Sequence, residues 1–214
     1  MSNPITLWPW LALAGLGAFH GLNPGMGWLF AVALGMQEKS RTALWRALIP
    51  LTAGHGLAVG AAILAAMLAG IAITPAMMRW PVAVLLLGLG VWRFFRHCHP
   101  RGIGMRVGMG GLTLWSFLMA TAHGAGLMVL PVFLGMTANA ASGPSCHAHA
   151  ASTDPATAFA ATVVHGAGYL VVTAAAAWVV FAKLGVGLLR RAWFNIDLIW
   201  ACALVGTGVL TMVV

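Results

Sequence analysis

Four of the eight histidines in this 214-residue chain sit inside stretches apolar enough to span a membrane, and each is followed by glycine: His20-Gly21, His55-Gly56, His123-Gly124 and His165-Gly166. Ionisable side chains at membrane depth usually face a cavity or a partner, and they mark ion or substrate paths. Neutral imidazole is also a common ligand for Zn, Cu, Ni and Co. The four rings therefore read as ligands of one transition-metal ion or as members of a relay. Glycine beside each ring would let neighbouring helices approach closely enough for the imidazoles to converge. The competing reading is that each histidine hydrogen-bonds across a helix bundle and locks its packing. No resident cofactor is implied, because the metal would be cargo.

A second chemistry-bearing element surrounds His20. Asn23 is a preferred N-cap and Pro24 a preferred first helical residue, so Asn23-Pro24 reads as the start of a second half-helix, with Gly25 and Gly27 loosening the junction. A broken helix presents backbone groups and a helix end to whatever occupies the cavity. Met26 adjoins the break, and its thioether suits a soft cation. A proline kink in a tilted helix is the plainer alternative. Two polar clusters, His97-Cys98-His99 and Cys146-His147-Ala148-His149, are candidate accessory metal sites, with solvated loops as the alternative. Asp197 is the one acid inside a span. It reads either as a proton-coupling carboxylate or as a favourable charge in the first turns of its helix. Glu38 and Asp154 read as loop residues without a distinctive setting.

These residues need elements to hold them, and composition says which. The chain is 61% hydrophobic and 7% charged, and apolar runs recur along nearly all of it. Six transmembrane helices are predicted at roughly 7–36, 47–70, 80–96, 110–136, 157–182 and 193–213, forming one domain over 1–214. The first is too long for one straight span, since thirty residues of helix reach about 45 Å against a hydrocarbon core of about 30 Å. Lys39, Arg41, Arg46, Arg93, Arg96, Arg101, Arg106, Lys183, Arg190 and Arg191 fall on one side of this arrangement, and only Arg79 on the other. The positive-inside rule makes the basic side cytoplasmic and puts both termini outside, in a bacterial inner membrane. The net charge of +8 is thus a matter of topology, not of nucleic-acid binding. Trp8 and Trp10 read as interfacial anchors. The three cysteines form no disulfide-like framework, and no signal peptide is expected.

The two halves resemble each other faintly. Ala18-Phe19-His20-Gly21 echoes Thr121-Ala122-His123-Gly124, and Gly54-His55-Gly56-Leu57 echoes Val164-His165-Gly166-Ala167. Three spans per half make the second half inverted, giving repeats of about 1–96 and 107–214 and an outer loop at about 137–156. Inverted repeats with a midplane site are a plan of secondary transporters.

No Ser-His-Asp set is discernible and no His-Glu-x-x-His or Gly-x-Ser-x-Gly occurs, so an enzyme is not expected. At His20-Gly21-Leu22-Asn23-Pro24-Gly25-Met26-Gly27 the chain resembles the nickel/cobalt efflux (NicO-type) and HupE/UreJ-like branches of the LysE superfamily. The segment Thr52-Ala53-Gly54-His55-Gly56-Leu57 is similar to the histidine-containing helix that follows there. Met26 stands where those proteins carry a second histidine, and their long His-rich loop has no counterpart. The resemblance implies a six-span, all-α transporter of a metal cation; the histidines themselves lead to the expectation of a divalent or softer cation, moved outward, with their protonation coupling transport to the proton gradient. Two alternatives remain: a LysE-like exporter of a small organic solute, and a non-transporting accessory subunit for metalloenzyme assembly. Expected partners are membrane lipid and the transported cation or solute, without nucleic acid; a homo-oligomer is left open.

Overall fold

The computed structural model describes residues 4–70, 75–95, 108–141, 154–184 and 196–213. All regular elements among the described residues are helical. Helix α1 covers Pro4–Leu22, a 3₁₀ turn Pro24–Met26, α2 Trp28–Gln37, α3 Arg41–Gly70, α4 Pro75–Phe95, α5 Met109–Ala122, α6 Ala125–Ala141, α7 Pro155–Val179 with a π turn Val180–Leu184, and α8 Ile196–Val213. Helix α3 over Arg41–Ala69 and α7 with its π turn over Pro155–Lys183 are long and apolar enough to cross a membrane. The α5–α6 pair passes the same test jointly but is bent by 62°. The remaining apolar helices are shorter. Leu11, Ile49, Leu57, Leu64, Leu68, Phe159 and Val171 all point outward and exposed. Water penalises such a surface and acyl chains do not. The chain is therefore a helical membrane protein.

The first break falls where the sequence predicts it, but the second half-helix starts later. Asn23 caps only the 3₁₀ turn, its side-chain oxygen accepting from the Gly25 amide at 2.9 Å, and α2 begins at Trp28. The delay comes from Gly27, whose φ of 140° interrupts the helix before it resumes. A second break, not anticipated from the sequence, lies at His123-Gly124. His123 closes α5 by donating its amide to the Met119 carbonyl, and Gly124 turns the chain at φ 71°. The span predicted at 110–136 is thus two helices. Asp154, without a distinctive setting in the sequence, N-caps α7 by accepting from the Ala156 and Thr157 amides, with Pro155 as first helical residue.

Three helix pairs carry most of the packing: α1 with α7, α3 with α5, and α4 with α8. Helix α1 runs parallel to α7, with Leu13 near His165 and Gly21 near Thr173. Helix α3 runs antiparallel to α7, with Trp45 against Trp178 and His55 against Tyr169 and His165. Buried apolar side chains form two clusters. One gathers Leu13, Val59, Leu86, Met128, Phe133 and Leu204; the other Trp28, Leu44, Leu48, Leu51, Leu112 and Val180. Along α3, His55 falls between Leu51 of one cluster and Ala58 of the other. The polar site lies at that boundary.

Candidate functional site: a buried histidine cluster

Local backbone chemistry aims the rings first. His20 donates Nδ1–H to the Leu16 carbonyl at 2.6 Å, and His123 does the same to Met119 at 2.9 Å, each four residues back on its own helix. His165 donates Nδ1–H to the Leu13 carbonyl of α1 at 3.2 Å. A carbonyl can only accept, so the neutral tautomer of all three carries its lone pair on Nε2. Such backbone anchoring is how metal-binding histidines are commonly oriented.

His20, His55 and His165 converge. Their ring centres are 5.3 Å apart for His20–His165, 5.7 Å for His20–His55 and 5.3 Å for His55–His165. All three are fully buried, and His123 is buried within electrostatic range of His20. The closest contact joins His55 Nε2 to His165 Nε2 at 3.1 Å. Because His165 Nε2 is an acceptor, His55 must donate there, which leaves the His55 Nδ1 lone pair with no partner among the described residues. The Asn23 side-chain nitrogen and the Thr52 hydroxyl are also buried without partners among them. Buried polar atoms are ordinarily paired, so these three leave hydrogen-bonding capacity unused inside the bundle.

Sequence reasoning missed Tyr169, the only tyrosine in the chain. Its ring lies on His55, with centres 4.0 Å apart and planes 3° from parallel, and its hydroxyl donates to the Met26 carbonyl at 2.7 Å. Tyr169 thus ties His55 to the first helix break. Thr173 donates to the Gly21 carbonyl, Trp115 to Gly25 and Ser116 to Leu51. The sequence does carry a signal for it: His165, Tyr169 and Thr173 are spaced i, i+4, i+8 and share one helix face. Tyr169→Phe keeps the ring stack and removes the hydroxyl. The variant is expected to unfold with about 1–3 kcal/mol less stability, since the buried Met26 carbonyl loses its donor. A denaturation curve in detergent measures it, and an unchanged midpoint would contradict the assigned bond.

The predicted role of the flanking glycines needs correction. A Cβ on Gly21 would strike the Tyr169 carbonyl, yet Gly56 and Gly166 have open space beside them, and Gly124 serves the turn. Close approach is made at Gly21 and otherwise at glycines that do not follow a histidine. A Cβ on Gly17 would meet the His165 carbonyl, one on Gly168 the Ala14 carbonyl, and one on Gly54 the Thr113 carbonyl. Gly17 and Gly21 form a small-residue pair four apart, the spacing that lets membrane helices touch backbone to backbone.

Pro24 and Gly25 lie in the 3₁₀ turn of the break, and Met26 is buried with its carbonyl held by Tyr169. His97, Cys98, His99, Cys146, His147 and His149 lie outside the described residues, as does the side chain of Asp197, whose backbone belongs to α8. Among the described residues, no set of three or more His, Cys, Asp or Glu side chains is arranged to hold a metal ion. The arrangement is a hydrogen-bonded imidazole pair with a third ring beside it. No family model, curated protein sequence or solved structure matches the chain.

Proposed function

We propose that this protein is a secondary transporter moving a transition-metal cation of the nickel/cobalt type or softer across the cytoplasmic membrane, outward, with the buried imidazoles as its passing ligands. The observation carrying the reading is the 3.1 Å separation of His55 Nε2 and His165 Nε2. Two imidazole nitrogens bound to one ion at about 2.1 Å, about 100° apart, would be about 3.2 Å from each other. Three rings around one tetrahedral ion would have centres roughly 5 Å apart, close to the triangle formed by His20, His55 and His165. Turning the His20 ring inward and moving the His55 proton from Nε2 to the orphan Nδ1 converts the hydrogen-bonded pair into a chelate. Neutral nitrogen donors suit borderline and soft cations better than hard ones.

The helix pairing supports a six-span, inverted-repeat plan. Helices α1 and α7 pair across the two halves, α3 and α5 do likewise, and α4 meets α8. His20 and His123 make the same four-back backbone bond beside the two breaks. In this reading the shorter helices α1 and α2 together complete one span, with both termini outside. The resemblance to the LysE superfamily points the same way.

A second reading, export of a small hydrogen-bonding solute, is favoured by the orphan Asn23 and Thr52 groups and by the absence of a preformed three-ligand set among the described residues. Vesicles reconstituted with the protein and loaded with a metal-sensitive dye separate the two. Nickel or cobalt flux is expected with the native chain and is expected to vanish in His20→Ala and His123→Ala. No flux with the native chain, or undiminished flux in both variants, would reject the metal reading.

A further inference from the structure

At one end of the bundle, away from the histidines, the start of α3 meets the end of α7. The Trp45 and Trp178 rings stack there with centres 6.0 Å apart and planes 27° from parallel. The Arg41 guanidinium carbon lies 5.3 Å from the centre of the Trp178 ring. Arg41, Trp45 and Arg46 are exposed, and so are Lys39 before them and Lys183 beyond Trp178. Lys183 sits in the π turn Val180–Leu184. Such a turn is rare and often occurs at functional sites. Four cations there face one described acid, the exposed Glu38.

We infer that Arg41, Trp45, Trp178 and Lys183 form a seat for the headgroup of an anionic phospholipid. A guanidinium held over an indole is pre-organised, and its N–H edge stays open for bidentate contact with a phosphate. Tryptophan prefers the headgroup level of the membrane, and clustered bases next to a span attract anionic lipids. Apolar side chains on the outer faces of both helices, including Ile49 and Val171, continue from the seat along the span and match a lipid's acyl chains. A free phosphate would use the charges but not this apolar track. The site does not depend on what the protein transports. Arg79 provides the control, because it also lies over a tryptophan, but that tryptophan is its own neighbour Trp80 on the same helix.

Native mass spectrometry of the full chain, released from micelles containing equal phosphatidylglycerol and phosphatidylcholine, tests the inference. The native protein is expected to retain phosphatidylglycerol preferentially. Arg41→Gln and Lys183→Gln are each expected to lower that retention about fivefold, while Arg79→Gln leaves it unchanged. Lys183→Gln alters only an exposed charge, so the test survives if Arg41→Gln fails to fold. Equal retention of both lipids, equal loss in all three variants, or displacement of the lipid by millimolar inorganic phosphate would overturn it.

Discussion

Leucine in place of Gly17 is expected to stop α1 from seating against α7, the most extensive helix contact among the described residues. A Cβ at this position would already overlap the His165 carbonyl and crowd the Tyr169 amide at 3.0 Å. Both are backbone atoms in a continuous helix and cannot rotate away as a side chain would. Overpacking a tight site costs about 1–3 kcal/mol where neighbours can yield. Here yielding means moving a whole helix, so the loss is expected at about 3 kcal/mol or more. The displacement would also break the His165–Leu13 bond, because donor and acceptor lie on the two separated helices. Gly17→Leu should therefore lower the thermal midpoint in detergent steeply, whereas Gly166→Leu, beside open space, should leave it close to native. Similar midpoints for the two would show that the α1–α7 contact is not made as described.

His165→Ala is expected to have the largest effect on function. His165 is the hub of the cluster: it accepts from His55, donates to Leu13 and lies 5.3 Å, centre to centre, from His20. Alanine strands the His55 Nε2–H in a buried setting, at a structural cost of about 1–3 kcal/mol, whereas the Leu13 carbonyl keeps its place in the α1 backbone ladder. The substitution also removes a proposed ligand, so metal affinity should fall by at least about 100-fold. His165→Gln separates the two effects. Its amide can still accept from His55 and donate to Leu13, so stability should largely recover, yet it supplies no imidazole nitrogen and the affinity should stay low. Metal titration and thermal unfolding of the same preparations give both quantities. Recovery of metal binding in His165→Gln would mean that the ring matters for packing alone.

Much of this site is legible in the amino-acid sequence alone. Histidines buried in apolar runs are costly enough that their clustering can be expected, and Asn23-Pro24-Gly25 carries local signals for a break. What the sequence hides is non-local. Nothing near Gly124 in the chain distinguishes a turn glycine from a packing glycine, because that depends on φ, which the surrounding fold sets. The glycines that follow the histidines suggest a packing role that mostly belongs to Gly17, Gly54 and Gly168, since only the helix rotation decides which small residue faces a partner. Tyr169 does not stand out, because a single aromatic in an apolar helix is ordinarily core. Its four-residue spacing from both His165 and Thr173 is the available clue.

Elemental analysis tests most directly whether the imidazoles of the two chain halves bind one transition-metal ion inside the membrane. The purified protein is exposed to nickel, cobalt, copper and zinc and then desalted. The comparison is a chain in which His20, His55, His123 and His165 are all replaced by glutamine. About one bound ion is expected per native chain and none above background in the substituted one. An ion-free native protein, or equal metal in both, would contradict that expectation.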